Sequence, residues 1–169
     1  MKGNSHVVIG ALGGAIIGCT PHSSPSVGMV LACMVVGGII ALVPDIDHRH
    51  STISHKVGVL RWFVFWLPHR GFTHSLLAVA LVGAGAWAMV GAGVPAVLSI
   101  SLVVGYVSHI VADMLTVRGV MLLYPKKIFV GFPIRIRTGG IIEGLIAFLC
   151  ACVLVYLPVS YTHLRAHET

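Results

Sequence analysis

Acidic residues are what this sequence has least of: five Asp and Glu among 169 residues, against eleven Lys and Arg and ten His. Charged side chains make up 9% of the chain, whereas a soluble domain carries about 25%. That scarcity excludes both an ordinary cytosolic globule and a disordered chain. Cysteine is sparse as well. Of the four, Cys33, Cys150 and Cys152 lie inside apolar stretches without Cys-x-x-Cys spacing, which favours packing over thiolate zinc sites or disulfides. Hydrophobic residues are abundant, at 57% of the chain with a mean hydropathy of +0.97. They are gathered in long blocks between short polar stretches, which points to an all-α, polytopic membrane protein rather than a barrel of alternating strands.

The blocks set the expected spans. Val27 to Val43 is uncharged throughout, and Ser75 to Ala112 contains no Asp, Glu, Lys or Arg. The second block is too long for one helix and is punctuated at Gly91-Ala92-Gly93-Val94-Pro95, so it divides into two spans of about 17 to 20 residues. A further span is expected from Ile141 to Leu157. Val7 to Gly18 reads as another helix, tilted or partly re-entrant, giving four to five transmembrane helices in all. Val57 to Leu67, with Trp62 and Trp66 around Arg61, suits an interfacial amphipathic segment.

Both ends carry processing signals. From Val159 the chain reads VSYTHLRAHET, an abrupt polar shift after Pro158 that resembles the translation of a sequencing adapter. Residues 159–169 are therefore expected to be non-native, and residues 1–158 to form a single membrane-embedded domain. At the other end, Lys2, an apolar stretch and Ile16-Ile17-Gly18-Cys19 also fit a lipoprotein signal with its acylated cysteine.

The bases give the topology. Arg49, Lys56, Arg61 and Arg70 fall between the second and third helices, and Arg118, Lys126, Lys127, Arg135 and Arg137 between the fourth and fifth. With five helices, these two loops and Lys2 share one side, which the positive-inside rule makes the cytoplasmic side of a bacterial inner membrane.

The few carboxylates fall at that same boundary. Asp45 and Asp47 lie in Pro44-Asp45-Ile46-Asp47-His48 just after a hydrophobic helix, Asp113 near the end of another, and Glu143 at the start of the last. Ionisable groups at membrane depth are costly, so each is a functional hypothesis. His109 and Asp113 are four residues apart and share one helical face, close enough for one metal ion or two adjacent ions, or for a buried His–Asp hydrogen bond between helices. In His69-Arg70-Gly71-Phe72-Thr73-His74-Ser75, Thr73 or Ser75 can cap the next helix while His69 and His74 converge from loop and helix start. His6, at the start of the first helix, lies at the same membrane face.

Together, His6, Asp45, His69, His74, His109 and Asp113 form a candidate metal set of imidazole and carboxylate ligands. Such a set suits zinc, with manganese or iron as alternatives, and has room for one to three ions bridged by a carboxylate, best supplied by Asp45. Asp47 and His48 are the candidate catalytic residues, as base or as orienter of a ligand. Arg70 and Arg118 are placed to hold an anionic head group, a placement that the positive-inside bias explains equally well. Glu143 either meets the site or pairs with Arg135 or Arg137.

These blocks resemble a known family. P-D-I-D-H at 44–48, H-R-G-F-T-H-S at 69–75 and G-Y-V-S-H-I-V-A-D-M-L-T-V-R-G at 105–119 are similar to the signature blocks of the YdjM family, described as LexA-regulated, inner-membrane-associated metal-dependent hydrolases. The resemblance runs from about His6 to Glu143 and implies a multi-helix membrane hydrolase. A more distant similarity is to the zinc-dependent phospholipase C and single-strand nuclease group, whose ligand order is echoed by His6, Asp45, His69 or His74, and His109 with Asp113. The second His-x3-Asp or His-x3-Glu pair of that group is absent here.

The expected function is membrane-bound, metal-dependent hydrolysis of a phosphoester, with a lipid or lipid-linked substrate and membrane lipids as partners. Nucleic acid is disfavoured because the Lys126, Lys127, Arg135, Arg137 loop has little aromatic interleaving beyond Tyr124, Phe129 and Phe132, and suits membrane anchoring better. No protein partner can be inferred. The competing classes are a transporter or metal carrier, whose ligands should spread through the bilayer, and a non-catalytic membrane protein whose metal cross-links helices.

Overall fold

Apolar blocks of this length can satisfy their backbone groups in a membrane only by bonding within themselves, and each becomes a helix. The computed structural model describes residues 1–20, 26–47 and 71–166, with side chains as far as Asp45 and Leu157 in the second and third stretches. Its helices are α1 (Gly3–Gly18), α2 (Val27–Ile40), α3 (Leu76–Gly91), α4 (Ala96–Met114) and α5 (Ile141–Ala166), with short 3-10 turns at Val43–Asp47 and Phe72–His74. Among the described residues there is no strand, only isolated bridges joining Thr116 to Ile136 and Val120 to Val130. The expected interfacial segment from Val57 to Leu67 lies outside the described residues. The last helix continues to Ala166, into the segment expected to be non-native.

Local chemistry explains the boundaries. The Ser26 hydroxyl accepts from Met29 N at 3.1 Å at the start of α2, and Ser75 accepts from Ala78 N at 3.2 Å at the start of α3. Between α3 and α4 the chain reverses where expected. Gly93 takes a φ of 90°, a left-handed conformation that glycine adopts without a steric cost, and Pro95 then leads into α4.

Two stretches, Val27–Asp45 and Ala96–Met114, are 19 residues each and apolar enough to cross a membrane. The apolar helices Gly3–Gly18, Leu76–Gly91 and Ile141–Leu157 are shorter. A 16-residue helix such as α1 or α3 reaches about 24 Å, short of a hydrocarbon core of about 30 Å. Among the described residues, two of the expected four to five spans are therefore long and apolar enough to cross a membrane.

The distribution of side chains is inverted relative to a soluble protein. Val27, Leu31, Val35 and Ile39 recur every fourth residue of α2 and are 46–60% exposed, while Ser5, His6, His74, His109, Asp113 and Glu143 are buried.

The interior is closed by glycine. α1 packs against α2, α4 and α5, and α3 packs on α4. A Cβ at Gly14 would stand 2.0 Å from the Cys33 carbonyl oxygen, one at Gly10 would stand 2.5 Å from Gly37 O, and one at Gly105 would stand 2.4 Å from that same oxygen. Helices α1, α2 and α4 therefore meet backbone to backbone, the small-residue packing that serves membrane helices where no hydrophobic force separates protein from lipid.

Candidate metal centre

The starts of α1 and α3 and the ends of α2 and α4 meet at one end of the bundle, which is also where the two 19-residue stretches finish, at Asp45 and Met114. On the last turns of α4, His109 and Asp113 are both buried, at 0% and 1% exposure. His109 donates from Nδ1 to the Ala41 carbonyl oxygen at 2.6 Å, just past the end of α2. That bond fixes the proton on Nδ1 and leaves Nε2 with its lone pair inward, the arrangement in which a metal-binding imidazole is held by a backbone carbonyl.

His74 arrives from the turn before α3. The Tyr106 hydroxyl donates to the Thr73 carbonyl oxygen at 2.5 Å and anchors that turn to α4, while Thr73 Oγ1 stands 3.0 Å from His74 Nδ1. The result brings His74 Nε2 to 3.2 Å from His109 Nε2. Two ligands about 2.0–2.1 Å from a tetrahedral zinc lie about 3.3 Å apart, so this nitrogen pair has the separation one ion requires.

Two carboxylates complete the set. Asp45 Oδ1 is 3.7 Å from His109 Nε2, and Asp113 Oδ2 is 3.8 Å from His74 Nε2 and 4.0 Å from His109 Nε2. Ligand atoms of Asp45, His74, His109 and Asp113 all lie within 4.8 Å of one another. Two imidazoles, two carboxylates and no thiolate form a donor set that fits zinc, manganese or iron.

His6 stands beside this group. Its ring stacks on that of His109, with centroids 3.7 Å apart and planes 17° from parallel, and its Nε2 is 3.3 Å from Asp113 Oδ1. Neither ring nitrogen of His6 makes a hydrogen bond among the described residues, although the ring is fully buried. Asp113 Oδ1 also takes the ammonium group of Met1. Its two oxygens thus face two sides, Oδ2 toward His74 and His109 and Oδ1 toward His6. Asp113, on the last turn of α4, thus contacts residues of both α1 and the turn before α3, while Asp45 approaches His109 from the turn after α2.

Glu143 is fixed by three donors. It accepts from Lys2 N at 2.5 Å, Ser5 Oγ at 2.7 Å and Gly139 N at 2.7 Å, so it ties the start of α1 to the turn before α5. Among the described residues its partners are these donors and not Arg135 or Arg137, and it is not one of the four grouped ligand residues. Arg118 is exposed on the loop after α4. Asp47 ends the turn after α2, but its side chain, like His48, His69 and Arg70, lies outside the described residues. Cys19, Cys33, Cys150 and Cys152 are free.

Sequence reading missed three contributors. Tyr106 had a usable signal, an aromatic hydroxyl three residues before His109 and so on a neighbouring face of the helix. From the sequence Thr73 reads only as a cap. The Ala41 carbonyl, a main-chain group, has no signature.

An all-helical chain with outward apolar faces and an interior histidine–aspartate cluster defines a membrane protein with a candidate metal-binding group. The family model described as YdjM inner membrane protein matches residues 1–166, and the chain belongs to that family. It is 39% identical over 124 residues to Inner membrane protein YdjM of Escherichia coli (strain K12), and equally to that of Shigella flexneri, covering 70% of this chain and 61% of each relative. The chain thus spans about three-fifths of the length of those relatives. It is 32% identical over 163 residues to the uncharacterized protein YvsG of Bacillus subtilis (strain 168), covering 93% of this chain and 96% of that one. No solved structure matches.

Proposed function

We propose that this protein is a multi-pass, metal-dependent hydrolase of the bacterial inner membrane, with its site at the cytoplasmic face and a lipid or lipid-linked phosphoester as substrate. The observation that carries the reading is the buried approach of two imidazole Nε2 atoms to 3.2 Å with carboxylates of Asp45 and Asp113 around them. Zinc is the first candidate, with manganese or iron as alternatives. A bound ion would supply a water of lowered pKa and polarise the phosphoryl oxygen.

The chain's own groups have separate tasks in this reading. Ala41 and Thr73 orient the two imidazoles, and Asp113 holds the ligand shell together from the end of α4. Asp47, the last residue of the turn after α2, and His48, next to it in sequence, are the candidate bases, with His69 a further ligand. Arg70 and Arg118 carry the charge to hold an anionic head group. An apolar cleft of about 450 Å³, lined by Ile9 of α1, Val107 and Val111 of α4 and Ile146 of α5, reaches Ala112 and Leu115 at the same end of α4. That cleft favours a substrate with a hydrocarbon tail. Gathering of the ligands at one end of the two spans favours hydrolysis over transport, which needs a path through the bilayer.

The test is turnover of phospholipid and phosphodiester substrates by the purified, metal-loaded chain beside a variant carrying both His109→Ala and Asp113→Ala. Metal content and turnover should both fall to background in the variant. Turnover equal in the two proteins removes the enzyme reading, and equal metal content removes the site.

A further inference from the structure

The loop from 115 to 140 has two different sides. Its inner side is folded onto the helix ends by main-chain bonds: Val120 and Val130 exchange hydrogen bonds at 3.0 and 2.8 Å, Ile136 N donates to Leu115 O at 2.7 Å, and Phe132 N donates to Met114 O at 3.0 Å. Val120, Met121 and Ile136 are buried there, and Val120 joins the core cluster of Ala78, Tyr106 and Ile110. The inner side therefore already meets the hydrophobic needs of the loop.

The outer side is apolar all the same. Ile128, Phe129, Phe132 and Ile134 are 53%, 58%, 44% and 70% exposed. They lie beyond the end of α4 and before the start of α5, outside the helical segments whose apolar faces hydrocarbon would cover. Lys126, Lys127, Arg135 and Arg137 are exposed among them, and the sequence from 115 to 140 contains no acidic residue. Aromatic and branched side chains alternating with unopposed cations match the boundary of an anionic leaflet, where rings enter the acyl margin and cations meet lipid phosphates.

We propose that this loop is a lipid-docking surface, inserting Ile128, Phe129, Phe132 and Ile134 into an anionic leaflet while Lys126, Lys127, Arg135 and Arg137 bind its head groups. Thr116 Oγ1 donates to the Asp113 carbonyl oxygen at 2.7 Å, and Leu122 O accepts from Leu76 N at 2.9 Å, so the same loop is tied to α4 and α3, two of the helices whose ends meet at the histidine–aspartate cluster. Docking holds the leaflet surface level with that cluster. The interaction requires no metal and no turnover, and stands or falls separately from the hydrolase reading.

The experiment places one fluorophore on the outer side. In the full chain, Trp62, Trp66 and Trp87 are replaced by Phe, F129W is introduced, and emission is followed in nanodiscs of phosphatidylcholine with and without phosphatidylglycerol, each with brominated acyl chains. Blue-shifted emission, quenched by the brominated lipid and quenched more strongly with phosphatidylglycerol, is expected. The phosphatidylglycerol increment should be lost at high salt, which needs no further substitution, and in K126Q/K127Q/R135Q/R137Q. Water-like, unquenched emission in both lipids overturns insertion, and quenching that ignores phosphatidylglycerol and salt overturns the charge recognition. A single-stranded oligonucleotide that binds the loop while phosphatidylglycerol leaves the emission unchanged assigns it to nucleic acid instead.

Discussion

Helices α1 and α3 look alike on paper and behave differently in the bundle. Each is 16 residues long, apolar and rich in glycine, and each has a buried histidine at or just before its start. In α1 the glycines are contact points: Gly10, Gly14 and Gly18 would all clash with α2 if they carried a Cβ. In α3, Gly83, Gly85 and Gly91 would meet nothing within 4 Å. The histidines differ too, since His74 directs Nε2 at His109 while His6 lies flat against the His109 ring. Composition therefore does not decide what a small residue does in a membrane helix. The partner face decides it.

The comparison can be broken most directly at Gly14. Gly14→Leu should cost more than the about 1–3 kcal/mol typical of an overpacked core, because the obstacle is the Cys33 backbone and not a movable side chain. Loss of folded protein in thermal unfolding in detergent is the expected result, and a native-like melt would mean that α1 and α2 are not in backbone contact.

The second test separates the histidines. His74→Ala should abolish stoichiometric metal binding, whereas His6→Ala, which removes a neighbour on the far side of Asp113, should weaken affinity about 10–100-fold, as loss of a supporting group does. Metal titration monitored by elemental analysis checks this, and equal losses would place His6 in the same shell as His74.

A smaller effect is expected at Glu143. Glu143→Gln weakens a charge-assisted cluster of three donors and should cost about 1–3 kcal/mol of stability. Metal content should be unchanged, because the carboxylate joins α1 to the turn before α5 and not to the cluster. The smallest effect belongs to α3: Gly85→Ala should leave the melt unchanged or raise it by up to about 1 kcal/mol through helix propensity. A clear loss there would reveal a partner for the α3 face.

Much of this was legible from the chain. The division of the long apolar block at Gly91 to Pro95 could be read because glycine and proline act locally, and Gly93 does turn with positive φ. His109 and Asp113 could be paired because four residues is nearly one helical turn. His74 and Asp45 could be brought to the same end because alternating helices return to it.

Other features needed three dimensions. Glu143 finds main-chain donors at Lys2 and Gly139, which are uniform along any sequence. That Asp113 faces His6 on one side and His74 on the other depends on how α4 sits between α1 and the turn before α3. The glycine spacing of α1 was visible, yet nothing in it named α2 as the surface it would meet.

The residue whose carbonyl aims His109 is Ala41, and a side chain at Gly10 would strike both the Ala41 methyl group and the Gly37 carbonyl oxygen, each at 2.5 Å. Helix spacing and ligand direction are therefore one mechanical variable. A single methyl group added at position 10 has no ligand of its own to offer, yet it shifts the alanine that steers the imidazole. Metal affinity measured in Gly10→Ala then serves as a gauge of how closely α1 and α2 press together.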